Sequence, residues 1–189
     1  MKPQNTLKHL VNFTSNDPSR PILAGVHITD EGHAEATDSN VFIKIFKRFP
    51  ENVEMVLHPK EFREIKGNYP NVSRLIPDDS GDSVYFDPDE ARKMAGFLKS
   101  LPKNSLVELT SENQAILIKS ENGTGNFELE KGSASVLDTY CVDVKNLKII
   151  LDYIGDCVSG SIEMRFLGPR KPIVFEATEQ FVAIIMPKR

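Results

Sequence analysis

Three acidic residues in one short stretch, Asp78, Asp79 and Asp82, are the nearest this 189-residue sequence comes to a catalytic constellation. Carboxylates so placed suit a hard cation such as magnesium, and a cation there would suit a metal-dependent phosphoesterase or nuclease. A linker turn accounts for "PDDSGD" better, since Asp, Ser and Gly are turn formers. The four histidines, His9, His27, His33 and His58, have no metal-ligand spacing beyond His27 and His33, which are expected on a strand and the far side of its turn. Neither a Gly-rich phosphate loop, a nucleophile elbow nor a His-Glu-x-x-His helix occurs. Cys141 and Cys157 lack CxxC spacing and sit in apolar neighbourhoods, so both are expected as buried, reduced thiols. The residues therefore point to binding rather than to turnover, with no enzyme activity, cofactor or metal expected.

Basic residues recur in a more suggestive way. Lys8 lies on one expected helix, Lys60, Arg63 and Lys66 on a second, Arg92, Lys93 and Lys99 on a third, and Lys145 and Lys148 on a fourth. Lys60 with Arg63, and Lys145 with Lys148, are i, i+3 neighbours that share a helical face. Glu61, Glu64 and Glu90 stand close enough to offset some of this charge. A net charge of -4 excludes a protein that coats nucleic acid over its whole surface, but it leaves room for a basic side formed by the helices. No base-reading constellation accompanies these residues, so any duplex contact would be with phosphates, without sequence preference.

The elements that must position such residues follow from patterning. With 40% hydrophobic and 26% charged residues the chain reads as a soluble globular protein. Its longest apolar stretch, Phe181 to Met186, is far short of the ~20 residues that span a bilayer. The first ten residues lack the apolar core of a secretory signal, which makes the cytoplasm the expected address. The closing "FVAIIMPKR" is apolar enough to be expected as a tied-down strand.

The chain also repeats itself. A shift of 56 positions lays "VDVKNLKIILDYIGD" on "FDPDEARKMAGFLKS", matching Asp87 with Asp143, Ala91 with Leu147, Met94 with Ile150, Ala95 with Leu151 and Leu98 with Ile154. Each copy reads as a strand, an Asp N-cap, an amphipathic helix and two or three short strands, a βαβββ unit. Pro88 stands at the first helical position of one copy. The repeat slips by one residue at the first strand after the helix, where Val107 and Leu109 alternate out of phase with Ile162, Met164 and Phe166. A shift of 81 finds a third copy at "VHITDEGHAEATDS", preceded by a helical candidate, Leu7 to Phe13, capped by Asn5 or Thr6. A fourth start, "EMVLHPKEFREI", places Pro59, Phe62 and Ile65 at helical spacing and then runs out. The fold class expected is α+β, with sheets packed on pairs of helices, divided as a truncated domain over 1–77 and a complete one over 78–189.

Three stretches resemble the bacterial DNA sliding clamps, the DNA polymerase III beta subunit family. "ATDSNVFIKI" at Ala36 to Ile45 is similar to the family's Ala-Thr-Asp-Gly-His-Arg-Leu segment, "NYPNVSRLIPDD" to its Phe-Pro-Asp-Tyr-Arg-Arg-Val-Leu-Pro junction, and "AIIMPKR" to its Val-Val-Met-Pro-Met-Arg hook. The resemblance matches only the family's last two domains, and the first of these lacks three strands. It implies the clamp fold and a groove that captures short apolar peptides of DNA polymerase or other clamp-binding proteins. Here that groove would use Arg20, Leu23, Thr37, Phe42, Pro70, Arg74, Leu75, Ile184, Met186, Pro187 and Arg189. It further implies helices facing double-stranded DNA, with a closed homo-oligomer acting as processivity factor, or else a monomeric adaptor or decoy. Ser39, Asn40 and Val41 replace the family's Gly-His-Arg, and Lys188 its Met, which implies an altered peptide preference.

Overall fold

The computed structural model describes residues 3–77, 81–130, 138–168 and 170–188. The chain divides into two compact units, Met1–Ile76 with Thr178–Ala183, and Pro77–Ala177 with Ile184–Arg189. Three α-helices occur among the described residues, and none is long and apolar enough to cross a membrane.

The first unit opens with α1 (Pro3–Leu10), which tightens into a 3-10 turn at Val11–Phe13. Helix α1 thus starts earlier than Leu7, and Asn5 and Thr6 lie inside it rather than capping it. Pro3 supplies the reason: proline at a first helical position needs no donor and has its φ preset. Strands β1 (Val26–Ile28), β2 (Ala34–Thr37), β3 (Val41–Ile45) and β4 (Met55–Leu57) follow, in the antiparallel order β4-β1-β2-β3. Their core face buries Val26, Ile28, Ala34, Ala36, Ile43 and Ile45, with Leu10 and Phe13 fully enclosed in the same unit. Strand β4 lies close over Gly25, where a Cβ would collide with the Val56 side chain.

The helix expected over Pro59 to Ile65 does not form. The chain instead folds back on β4, with Leu57 bridged to Glu64, His58 N donating to Arg63 O at 2.8 Å and Ile65 N to Val56 O at 2.7 Å. Phe62 sits at the tip of this return with φ +53 and 71% exposed. The segment is too short to hold a helix without a packing partner, and the open groups of β4 offer it hydrogen bonds instead. Lys60, Arg63 and Lys66 therefore share no helical face.

In the second unit, β5 (Asp82–Phe86) leads into α2 (Pro88–Lys99), and β9 (Tyr140–Asp143) into α3 (Val144–Cys157). Both caps are the expected aspartates. Asp87 accepts from the amide of Glu90 at 2.8 Å, and Asp143 from those of Lys145 and Asn146 at 2.9 and 3.2 Å. Helix α2 packs on α3, burying Ala91, Met94, Ala95 and Leu98 from one helix and Leu147, Ile150, Leu151 and Ile154 from the other. Full burial of a Leu, Ile or Met side chain contributes about 1.5–3 kcal/mol. Strands β6 (Leu106–Glu112), β7 (Ala115–Ser120) and β8 (Gly123–Glu128) follow α2, in the order β8-β7-β6-β9. After α3 come β10 (Ile162–Phe166) and β11 (Ile173–Ala177), then β12 (Phe181–Ile185), whose residues up to Ala183 belong to the first unit, and the order β11-β10-β5 is antiparallel throughout.

The phase slip between the copies is real. Strand β6 buries Val107 and Leu109, whereas β10 buries Ile162, Met164 and Phe166. The missing residue lies in the connection after α3, so each strand still turns its apolar residues inward.

Candidate functional site

Seven of the residues expected to line a peptide groove belong to the first unit. Thr37 ends β2 and pairs with Phe42 of β3. The turn between them is locked from within: the Thr37 hydroxyl donates to Val41 O at 2.7 Å and accepts from Ser39 N at 3.0 Å. The Asp38 carboxylate accepts from Asn40 N and Val41 N. Ser39 holds φ +82, so it keeps the left-handed backbone that a glycine adopts freely. Its hydroxyl accepts from Arg20 at 2.5 Å, and Arg20 also pairs with Asp17 at 3.0 Å, which fixes the guanidinium at the rim of this turn. Leu23, on a 3-10 turn at Pro21–Ala24, is buried, as are Thr37 and Phe42.

Pro70, Arg74 and Leu75 stand on the segment that runs from Tyr69 through the 3-10 turn Val72–Leu75. All three are exposed, Leu75 at 59%, while Val72 is buried beneath them. The segment is tied to the sheet by a buried carboxylate. Glu35 of β2 is only 5% exposed, yet it receives the Ser73 hydroxyl at 2.8 Å, the Lys44 ammonium at 3.1 Å and the His27 ring at 3.3 Å. His27 in turn stacks on Tyr69, with ring centroids 5.0 Å apart and planes inclined by 23°. Burial alone would raise the Glu35 carboxyl, but hydrogen bonds from His27, Ser73 and Lys44 outweigh it and bring the pKa down to about 2. His27 moves upward, chiefly through its bond to Glu35 and against the effect of burial.

This cluster was missed in the sequence. Its signal is one ionisable residue in each of three short strands, His27, Glu35 and Lys44, which the register sets side by side as His27 opposite Glu35 and Glu35 opposite Lys44.

The remaining groove residues belong to the second unit. Ile184 is buried, Met186 is 41% exposed and Pro187 is half-buried. Lys188 N donates to Cys141 O at 2.7 Å, which anchors the hook locally. Arg189 lies outside the described residues.

Of the basic residues, Arg92, Lys99 and Lys148 line a groove of about 260 Å³ between α2 and α3, together with Asp152 and Asp156. Gly155 admits this arrangement, because a Cβ there would meet Arg92 Cγ at 2.7 Å. Carboxylates answer most of the positive charge: Arg92 pairs with Asp89, Lys93 with Glu90 at 2.6 Å and Lys148 with Asp152 at 2.5 Å. Lys8, Lys99 and Lys145 are exposed on their helices. Lys60, Arg63 and Lys66 are exposed on the return loop, where Arg63 pairs with Glu61.

No cluster of His, Cys, Asp and Glu able to hold a metal occurs among the described residues. Asp82 opens β5, while Asp78 and Asp79 lie outside the described residues. His33 is engaged in its own contacts, accepting from Lys47 N at 3.1 Å and pairing with Glu31 at 3.0 Å. Cys157 is buried and Cys141 half-buried, and burial followed by the nearby Glu108 charge pushes the Cys141 thiol up, away from reactivity.

No protein-family model matches the chain. The beta sliding clamps of two Streptococcus pneumoniae strains are each 23% identical over 241 residues, covering 97% of this chain and 62% of their own length. The chain thus spans less than two thirds of the curated relatives it matches. Among solved structures, the beta subunit of DNA polymerase from Streptococcus pyogenes superposes with a TM-score of 0.75 at 22% identity, over 98% of this chain and 64% of its own. The Bacillus subtilis sliding clamp gives 0.75 at 21% over the whole of this chain and 63% of its own. The Helicobacter pylori beta clamp, solved with a DNA ligase peptide bound, gives 0.76 at 15% over 98% of this chain and 63% of its own. The α+β fold is that of the bacterial sliding clamps, in agreement with the resemblance carried by the three short motifs.

Proposed function

We propose that this chain, which shares the fold of the bacterial beta sliding clamps, captures short apolar peptide segments of replication and repair proteins, and that it performs no catalysis. The observation that carries this reading is the wall of the first unit. Leu75, Arg74 and Pro70 are exposed on a segment tethered through Glu35 and Lys44 to β2 and β3, the same two strands that the locked Thr37–Phe42 turn, with Arg20 at its rim, connects. An exposed leucine beside a proline and a guanidinium offers an apolar contact, a rigid edge and a donor for peptide carbonyls or carboxylates. The peptide-bound Helicobacter pylori clamp shares the fold and supports the reading.

The same DNA ligase peptide is the first probe. Titration calorimetry is expected to give a micromolar dissociation constant, weakened by Leu75→Ala and by Met186→Ala. An affinity unchanged in both variants would remove the groove from the account.

A role around duplex DNA is the second part of the proposal, and α2 and α3 make it a weak one. Asp89, Glu90, Asp152 and Asp156 sit on the same two helices as Arg92, Lys93, Lys99, Lys145 and Lys148. Phosphate contacts here are expected to be few, with a shallow dependence of binding on salt. Light scattering across a wide concentration range separates a closed oligomer able to encircle DNA from a monomeric adaptor that only holds peptides.

A further inference from the structure

A buried carboxylate is costly unless every oxygen is matched, and Glu35 is matched from three directions. Its Oε1 takes Ser73 and Lys44, its Oε2 takes His27, and Lys44 also reaches the Ser73 hydroxyl at 3.3 Å. Two of these partners lead to the same segment. Ser73 stands on it directly, and His27 holds its beginning through the stacked ring of Tyr69. Beyond the Tyr69 ring, Val72 is the one buried apolar side chain of the segment, while Pro70, Asn71, Arg74 and Leu75 are exposed. Exposed Glu54 stands 3.5 Å from His27 Nε2, and Glu64 and Lys66 line the same cavity as His27 and Tyr69.

We propose that Glu35 is a positioning residue: acting through Ser73, and through His27 and Tyr69, it fixes where the wall of Pro70, Arg74 and Leu75 stands, without touching the bound peptide. The peptide arm of this inference rests on the function proposed above, whereas the tether itself does not. Leu75 projects from a turn with no strand partner, so its place relative to Phe42 and Thr37 is set by how tightly Ser73 is held two residues earlier. A loosened tether leaves every groove residue present but unaligned, which reduces affinity through lost preorganisation rather than a lost contact.

The test combines peptide titration with amide exchange in Ser73→Ala, Ser73→Thr and Glu35→Gln. The amides of Val72 and Ile76, which donate to Pro70 O and Ser73 O, report on the segment. The amides of β1 to β3 report on the sheet. Ser73→Ala removes one hydrogen bond to a charged acceptor, and about a tenfold loss of peptide affinity is expected. Faster exchange confined to Val72 and Ile76 should accompany it, with both effects reversed in Ser73→Thr. Glu35→Gln is expected to change both readouts in the same sense and further. Wild-type affinity and wild-type exchange in Ser73→Ala would overturn the inference. So would exchange that quickens equally over β1 to β3, since that is general destabilisation. Should the unaltered protein not bind the peptide at all, the proposed function fails, and exchange alone decides the tether: selective acceleration upholds it, and none refutes it.

Discussion

The two units solve the same problem with different materials. The second is built on a pair of amphipathic helices whose buried positions are almost all apolar, so its stability resides in α2 against α3. The first has no such pair among its described residues, and after β4 the chain turns back instead of entering a helix. Its junction segment is secured by a charged cluster on the sheet rather than by area. Apolar packing is indifferent to pH and direction. A buried carboxylate answers to both, and it can place one loop with an accuracy that a smooth apolar surface does not give.

The largest expected break in this contrast lies in the helix pair. Ile150→Ala and Ile154→Ala each remove a fully buried side chain and should cost about 2–5 kcal/mol, measured by denaturant unfolding with amide exchange assigning the loss to the second unit. The next effect belongs to the first unit and depends on pH. The Glu35 carboxyl falls from 4.5 to about 2 on folding, so its contribution is fully present above pH 4.5 and is lost as pH drops through about 2, at most about 3 kcal/mol in all. His27 is raised, so its share is complete below pH 6.5 and fades as pH rises through its folded value. Both shifts describe one interaction and do not add. Glu35→Gln should flatten the acid limb, while Ile150→Ala leaves it in place, and unfolding at pH 3 and pH 6 distinguishes the two. Smaller still is Asp143→Ala, which frees two helix amides and should cost about 1 kcal/mol of second-unit stability, read by denaturant unfolding. At the low end, Phe62→Gly relieves a left-handed backbone at an exposed side chain and should stabilise the first unit by about 0.5 kcal/mol, read as a slightly raised unfolding midpoint.

The second unit was the legible one. Ala91, Met94, Ala95 and Leu98 on α2, and Leu147, Ile150, Leu151 and Ile154 on α3, recur at helical spacing, an aspartate cap precedes each set, and Gly, Asn and Pro mark the strand ends, so periodicity and punctuation agree. The first unit misled at Pro59, Phe62 and Ile65, whose spacing suits a helix but whose neighbours offer no surface to bury it. There the hydrogen-bonding groups of β4 prevailed over local preference. The Glu35 cluster was hidden for another reason. His27, Glu35, Lys44 and Ser73 become neighbours only once the register of three strands is set, and a slip of one residue would scatter them to opposite faces. Leu75 and Phe42 stood out through the clamp-like motifs. What places Leu75 did not, because a tether between distant residues leaves no local pattern.

The return of Arg63 to Ile65 onto β4 also bears on how this protein comes into being. A strand whose outer groups are taken by the residues that follow it directly in the chain needs no distant partner to complete it, and such local closures form within microseconds. By the time the slower, long-range pairings of the sheet assemble, the flank at β4 is occupied. During synthesis at high local chain density this leaves a nascent neighbour little to pair with at that flank.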